Sequence, residues 1–201
     1  MEKFQTLDAV AAPIATPNID TDQIVPARFL SRPRESGYGN YLFHDLRFDD
    51  SGAEKPGFVL NQPAWRNARI LVADWNFGCG SSREHAVYCL HDYGFRAVIA
   101  PSFGDIFFGN AFKNGFLPVV LPADAVADLR RQITEQPGAR IAIDLARQTV
   151  TAPSGAVHRF DIDPFRKQCL LQGVDEIAFT LGHGAAIAAF EQRQAAEVSW
   201  L

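Results

Sequence analysis

A chain of 201 residues with 47% hydrophobic content is long enough to bury a full core, as one domain or one domain with a long excursion. Its formal net charge of −4 argues against a general nucleic-acid or membrane-surface role, which calls for a basic face. No apolar run approaches the roughly 20 residues that span a bilayer, Met1–Gln5 lacks the regions of a signal peptide, and the expected location is cytoplasmic.

In chain order, Ala9–Ala11 and Pro13–Ala15 read as strand material, followed by the polar segment Asn18-Ile19-Asp20-Thr21-Asp22-Gln23-Ile24. Residues from about 31 to 57 are dense in Arg, Gly, Asp and Pro with little periodicity, as in lids, binding loops or partner surfaces. Tyr38, Tyr41, Leu42, Phe43 and Phe48 are too apolar for a purely solvated loop and predict contact with something. Arg69–Ala73 reads as a buried strand, Ala86–Leu90 as the body of a helix closed by Gly94, and Ala97–Ala100 as a strand stopped by Pro101. Together they predict a βαβ unit with its ligand loop at the C-terminal end of the first strand.

A second helix is expected over about 104–113, closed by Asn114-Gly115, and the strand around Pro118 suggests a bend or a sheet edge. Val126, Leu129 and Ile133 stand at helical spacing in a helix over 123–136. Ile141–Ile143, Thr149–Thr151 and Val157–Phe160 then alternate as antiparallel strands. Two helical segments close the chain, near 164–171 and 175–194. The expected class is α/β, a mixed-sheet core with flanking helices and a long loop in the N-terminal third, with 1–201 as a single domain.

The loop of that βαβ unit, Gly78-Cys79-Gly80-Ser81-Ser82-Arg83-Glu84-His85, is where chemistry is expected. The first N–H groups of a helix lack partners within it, and its dipoles leave partial positive charge there, which suits anions. Ser81 with Glu84 three residues on also has the spacing of a capping box, which needs no ligand. Arg83 favours the ligand: a cation in the first turn opposes the macrodipole by about 0.3–1 kcal/mol unless an anion lies between. Gly78 and Gly80 let backbone approach a ligand closely. Two hydroxyls and a guanidinium suit a small carboxylate.

Other chemistries are poorly supported. Cys79, Cys89 and Cys169 give no disulfide framework and lack the C-x-x-C spacing of zinc or iron–sulfur sites. Cys79 precedes a helix start, where a thiol pKa can fall, but no activating base is evident; Cys89 is expected to pack. His85 is a candidate for a substrate or supporting contact, whereas His44, His91, His158 and His183 are expected to be exposed or structural. The glycines match neither the P-loop nor the dinucleotide fingerprint.

Gly80–His85, with Asn18–Ile24 upstream, resembles the swivel domain of the aconitase superfamily, and within it the bacterial small-subunit family of the 3-isopropylmalate dehydratases. Ala100–Asn110 and Asp163–Arg166 are similar to the same family, so the likeness covers essentially the whole chain. The resemblance implies a swivelling β/α/β domain and a hydro-lyase subunit of leucine biosynthesis, isomerising 2-isopropylmalate and 3-isopropylmalate by dehydration and rehydration. It implies activity only with a large subunit, whose [4Fe–4S] cluster acts on the departing hydroxyl as a Lewis acid. This chain would itself bind no metal or cofactor.

By matching position, the resemblance makes Ser81 the catalytic base, with Ser82 and Arg83 on substrate carboxylates and Asp22 orienting the site. It sets Arg28 near a second carboxylate-binding arginine, and gives Gly78, Gly80, Glu84 and His85 supporting roles. The implied partners are the large subunit and a small dicarboxylate, with neither nucleic acid nor membrane. Substrate choice is expected in the 31–57 loop, which offers aromatics and Arg32, Arg34 and Arg47. The alternatives are a related dehydratase of the homoaconitate or citraconate type, and a non-catalytic anion-binding scaffold.

Overall fold

Apolar residues in adjoining runs sort to the two faces of one sheet. The computed structural model describes residues 1–197; the last four residues of the expected 1–201 unit lie outside the described residues. Seven strands form the sheet: β1 (Thr6–Pro13), β2 (Ile70–Val72), β3 (Ala97–Ala100), β4 (Leu117–Val120), β5 (Arg140–Asp144), β6 (Thr149–Thr151) and β7 (Val157–Arg159). Their spatial order is β4-β3-β2-β1-β5-β6-β7, with parallel pairing from β4 to β1 and antiparallel pairing from β1 to β7. The helices are α1 (Thr21–Ile24), α2 (His44–Arg47), α3 (His85–Tyr93), α4 (Asp105–Lys113), α5 (Ala123–Glu135), α6 (Pro164–Gln172), α7 (Glu176–Leu181) and α8 (Gly184–Glu197).

The parallel half is covered on both faces, which is why its strands are apolar without interruption. Ile70, Val72, Ala97 and Ile99 join a core under α5 with Val126, Leu129 and Ile133. Leu71, Val98 and Ala100 alternate into the opposite core, with Val87, Cys89 and Leu90 of α3. The antiparallel half buries one face, so Ile141 and Ile143 of β5 alternate with the exposed Arg140 and half-buried Asp144. Pro118 lies in β4, an edge strand with one neighbour, where the missing N–H disturbs no second ladder.

Three expectations change in detail. The N-terminal strand is one element, Thr6–Pro13, and Ile14 extends its pairing through an N–H donated to Val72 O at 2.9 Å. The last helical segment breaks at Gly182-His183 into α7 and α8, because glycine is a poor helix former and no core packing holds the two together. The stretch from 31 to 57 is not an open loop. Short 3₁₀ turns at Arg34–Ser36 and Tyr38–Tyr41, then α2, wrap it onto α3, and Tyr38, Leu42 and Phe43 are buried.

Its aromatics contact this chain's own residues. Tyr38 lies 5.5 Å from the His85 ring and 6.3 Å from Tyr88 on α3, with its hydroxyl donating to Arg32 O at 2.8 Å. Tyr41 stacks on Phe29 at 4.4 Å, Phe43 meets Phe58 at 5.8 Å and Phe48 meets His44 at 5.1 Å. Because β1, β2 and β3 run parallel, the segments after them emerge along one edge of the sheet. There, isolated bridges join Asp20 to Cys79 and Phe77 to Phe103. This convergence of three loops positions the site.

Candidate active site

Asp20 caps α1. Its carboxylate accepts from the Gln23 N–H at 2.7 Å while Gln23 Oε1 accepts from the Asp20 N–H at 2.9 Å, a reciprocal capping box. That short helix is docked along the glycine loop: Thr21 N–H donates to Cys79 O at 2.9 Å and Gly78 N–H to Ile19 O at 2.7 Å. Thr21 is buried, with its hydroxyl 3.1 Å from Ser81 Oγ, and it accepts from the Ser81 N–H at 3.2 Å. Asp22 and Arg83 form an ion pair at the mouth of the same junction.

The glycines are used for close approach. Gly78 has φ +73°, and a Cβ there would stand 2.3 Å from Cγ of Phe107 on α4. A Cβ on Gly104 would stand 2.6 Å from Gly78 O. The loop thus threads over the start of α4 with no room for side chains.

The helix after the loop starts later than the capping-box spacing predicts. Its N-cap is Glu84, which makes no cap hydrogen bond, and Glu84 Oε1 instead accepts from Asn114 Nδ2 at 2.7 Å. Ser81 bonds Thr21 rather than a helix amide, so the capping box lies at 20/23 and not at 81/84. The first amides of α3 are partly occupied, Ala86 N–H by Arg83 O at 3.2 Å and Val87 N–H by Glu84 O at 2.9 Å. Arg83 precedes the helix, and the dipole's influence, confined to the first turn, reaches Ser81 weakly. The positive character of the site therefore rests mainly on Arg83.

Ser81 and Ser82 are exposed, and beside them Gly78, Cys79, Gly80, Phe103, Asp105 and Ile106 line an open hollow of about 360 Å³. Ile106 stands half exposed there, at 51%. Burial, and secondarily the neighbouring Asp20 carboxylate, push the Cys79 thiol up, which disfavours it as a nucleophile. Cys89 is buried in the core under α3 and its thiol is likewise raised by burial. Among the described residues, no three His, Cys, Asp or Glu side chains gather to hold a metal ion, and no helix is long and apolar enough to cross a membrane.

Residues 1–124 match the aconitase C-terminal domain model, 127–164 the model LeuD_N, and 176–201 the model for the C-terminal domain of the 3-isopropylmalate dehydratase small subunit. The chain is 51% identical to a 3-isopropylmalate dehydratase small subunit of Paramagnetospirillum magneticum, over the whole of both chains. It is 52% identical to the one from Rhodospirillum centenum, over 100% of this chain and 98% of that protein. The chain belongs to the 3-isopropylmalate dehydratase small-subunit family. The solved 3-isopropylmalate dehydratase (LeuD) of Methanocaldococcus jannaschii shares the fold, with TM-score 0.66 at 22% identity over 92% of this chain and 98% of that one.

Within this small-subunit fold the structure brings Asp22, Ser81 and Arg83 together at one junction, with Gly78, Gly80 and Ser82 on the same loop. Arg28 stands apart, paired with Asp45, 3.1 Å from His44 Nδ1, and bordering another hollow with Phe48 and Lys55. His85 is half-buried between Tyr38 and Tyr88, at 5.5 and 5.6 Å. Of the loop arginines, Arg34 pairs with Asp92 and lies over the Tyr88 ring, Arg47 is buried against Leu42 O and Asn61, and Arg32 is exposed. Neither motif nor resemblance assigns Thr21 a role, although the Asp20/Gln23 capping spacing sets it at the head of a helix.

Proposed function

We propose that this chain is the small subunit of a 3-isopropylmalate dehydratase, interconverting 2- and 3-isopropylmalate by loss and return of water. The observation that carries the assignment of roles is the junction of Thr21-Asp22 with Ser81-Ser82-Arg83, in a chain 51% identical to a named small subunit along its full length. In the forward step, ionised Ser81 Oγ takes the proton from the carbon beside a carboxylate, and the C–H electrons form the double bond. The hydroxyl leaves the adjacent carbon as hydroxide toward the large subunit, which would supply the Lewis acid that receives it. In the return step the same oxygen gives a proton back. Arg83 clamps a carboxylate of the substrate, held in place by Asp22, and a planar guanidinium does this with two parallel hydrogen bonds. Ser82 donates to the carboxylate on which charge develops. Arg28 would reach a second carboxylate only by leaving Asp45.

A serine alkoxide needs a water-poor pocket, and Ser81 is exposed beside an open hollow that the half-exposed Ile106 lines. We assign the closing wall to the large subunit. The residues here do not fit an iron–sulfur cluster, for Cys89 and Cys169 are buried and Cys79 stands alone in the hollow; we assign the [4Fe–4S] cluster to that partner too. The chain 1–201 acts as one domain, in the cytoplasm, and the wrap from 31 to 57 tunes substrate choice.

The test is anaerobic mixing with the large subunit from the same source, following the unsaturated intermediate formed from 3-isopropylmalate by its ultraviolet absorbance. Turnover that requires both chains is expected. No turnover from a formed complex with an intact cluster would overturn the substrate assignment in favour of a related hydroxy acid.

A further inference from the structure

We propose that Thr21 is a positioning residue that stabilises the ionised form of Ser81 and aims its oxygen at the substrate; this rests on the reading of Ser81 as the base. Thr21 Oγ1 accepts from the Ser81 N–H at 3.2 Å, which occupies a lone pair and leaves its single proton to donate. Two acceptors are in reach, Ser81 Oγ at 3.1 Å and Ser81 O at 3.5 Å, and the nearer one is the hydroxyl oxygen. While Ser81 is neutral, either hydroxyl can donate to the other. Once Ser81 is ionised, only Thr21 can donate, and the bond becomes charge-assisted. A hydrogen bond stronger to the charged form lowers that form's free energy and hence the pKa of the base.

Thr21 is held for this task. It is 1% exposed, its N–H is bonded to Cys79 O, and the Asp20 capping box fixes the helix that carries it. Its β-branched side chain has few rotamers to choose from. The charged groups around Ser81 are otherwise committed: Asp22 and Arg83 to each other, Asp20 to the Gln23 N–H and Glu84 to Asn114, with Asp105 across the hollow. None of these contacts is made by the Thr21 side chain.

The test uses the assembled two-subunit enzyme with Thr21→Val, which keeps the shape and removes the donor, and Thr21→Ser, which keeps the donor. For Thr21→Val, kcat is expected to fall roughly 10- to 100-fold, the worth of one hydrogen bond to a charged group. KM should stay within about twofold, and the acidic limb of kcat/KM should move to higher pH. Thr21→Ser should recover to within a few-fold of the parent. If Thr21→Val does not assemble, Thr21→Ala against Thr21→Ser isolates the same oxygen. An unmoved acidic limb, or a Thr21→Ser variant as slow as Thr21→Val, assigns Thr21 to packing and overturns the proposal. Ser81→Ala run alongside separates the two ideas: near-normal turnover there removes Ser81 as the base, whatever Thr21 does.

Discussion

At the scale of single residues, the site is a set of side chains held by one another rather than by a helix end. Arg83 is paired with Asp22, and Ser81 is bonded to Thr21 through both its amide and its hydroxyl. If Ser81 moves the proton, Ser81→Ala should lower kcat by roughly 10²- to 10⁴-fold in the assembled enzyme, the span of general base catalysis. Circular dichroism and complex formation should be unchanged. Arg83→Lys keeps the charge and loses the planar fork. It should raise KM roughly tenfold, and a titration in which substrate affinity is unaltered would reject the carboxylate clamp.

Arg28 gives a prediction of another kind, because its bond holds the Asp45 carboxyl down to about 2. A carboxylate lowered in the folded state stabilises above its unfolded pKa, about 4, and that contribution is lost as pH falls through about 2. Both partners are more than half exposed, at 52% and 59%, so the contribution stays below about 1 kcal/mol. Urea midpoints of Asp45→Asn should therefore fall less steeply than the parent's between pH 4 and 2, and an identical slope would show that the pair contributes nothing.

At the scale of elements, the glycine loop and α4 are fitted together. Gly78 requires φ +73°, a region that penalises a Cβ by about 1–2 kcal/mol, and the added carbon would meet the Phe107 ring at 2.3 Å. Phe107 cannot swing away, being 2% exposed with the Phe77 ring 5.4 Å from its own. Gly78→Ala should therefore destabilise by about 2 kcal/mol or more, measured by chemical denaturation. A loss under about 0.5 kcal/mol would mean that the loop and α4 are not so tightly apposed. The wrap onto α3 belongs to this scale as well. Its sequence offered charge, glycine and proline with no period, because its apolar residues are spaced to meet a helix of the same chain rather than to repeat along their own.

At the scale of the whole molecule, the two-faced sheet carries the stability, and α7 and α8 contribute little. None of their residues is buried; Ile177 and Leu181 are 73% and 74% exposed, and the Phe165–Phe179 ring contact, at 4.9 Å, joins α6 to α7. A chain ending at Val174 should melt within about 4 °C of the parent, since 1 kcal/mol moves Tm by about 2–4 °C at this size. A larger drop in calorimetry would mean that these helices brace the sheet. By contrast, Leu170 is fully buried and its carbonyl accepts from Phe4 N–H at 2.9 Å, so a cut before α6 should be damaging.

The sequence by itself determined the elements whose signal is local. The βαβ unit from 69 to 100, the buried face of α5 and the antiparallel run after it follow from apolar period and turn chemistry within a few residues, whereas Pro118 signalled a bend or an edge and the sheet order made it an edge. It also singled out Asn18–Ile24 and Gly78–His85 as separate strings. The resemblance implied that the two strings share a site through Asp22. Only the tertiary structure decided how they touch, that the capping box belongs to Asp20 and Gln23, that Thr21 faces Ser81, and that Tyr38 of the 31–57 wrap lies on α3. The physical reason is range. A helix cap or a strand face is settled by neighbours a few positions away, whereas Thr21 and Ser81 are 60 residues apart and meet because parallel strands deliver their loops to the same edge.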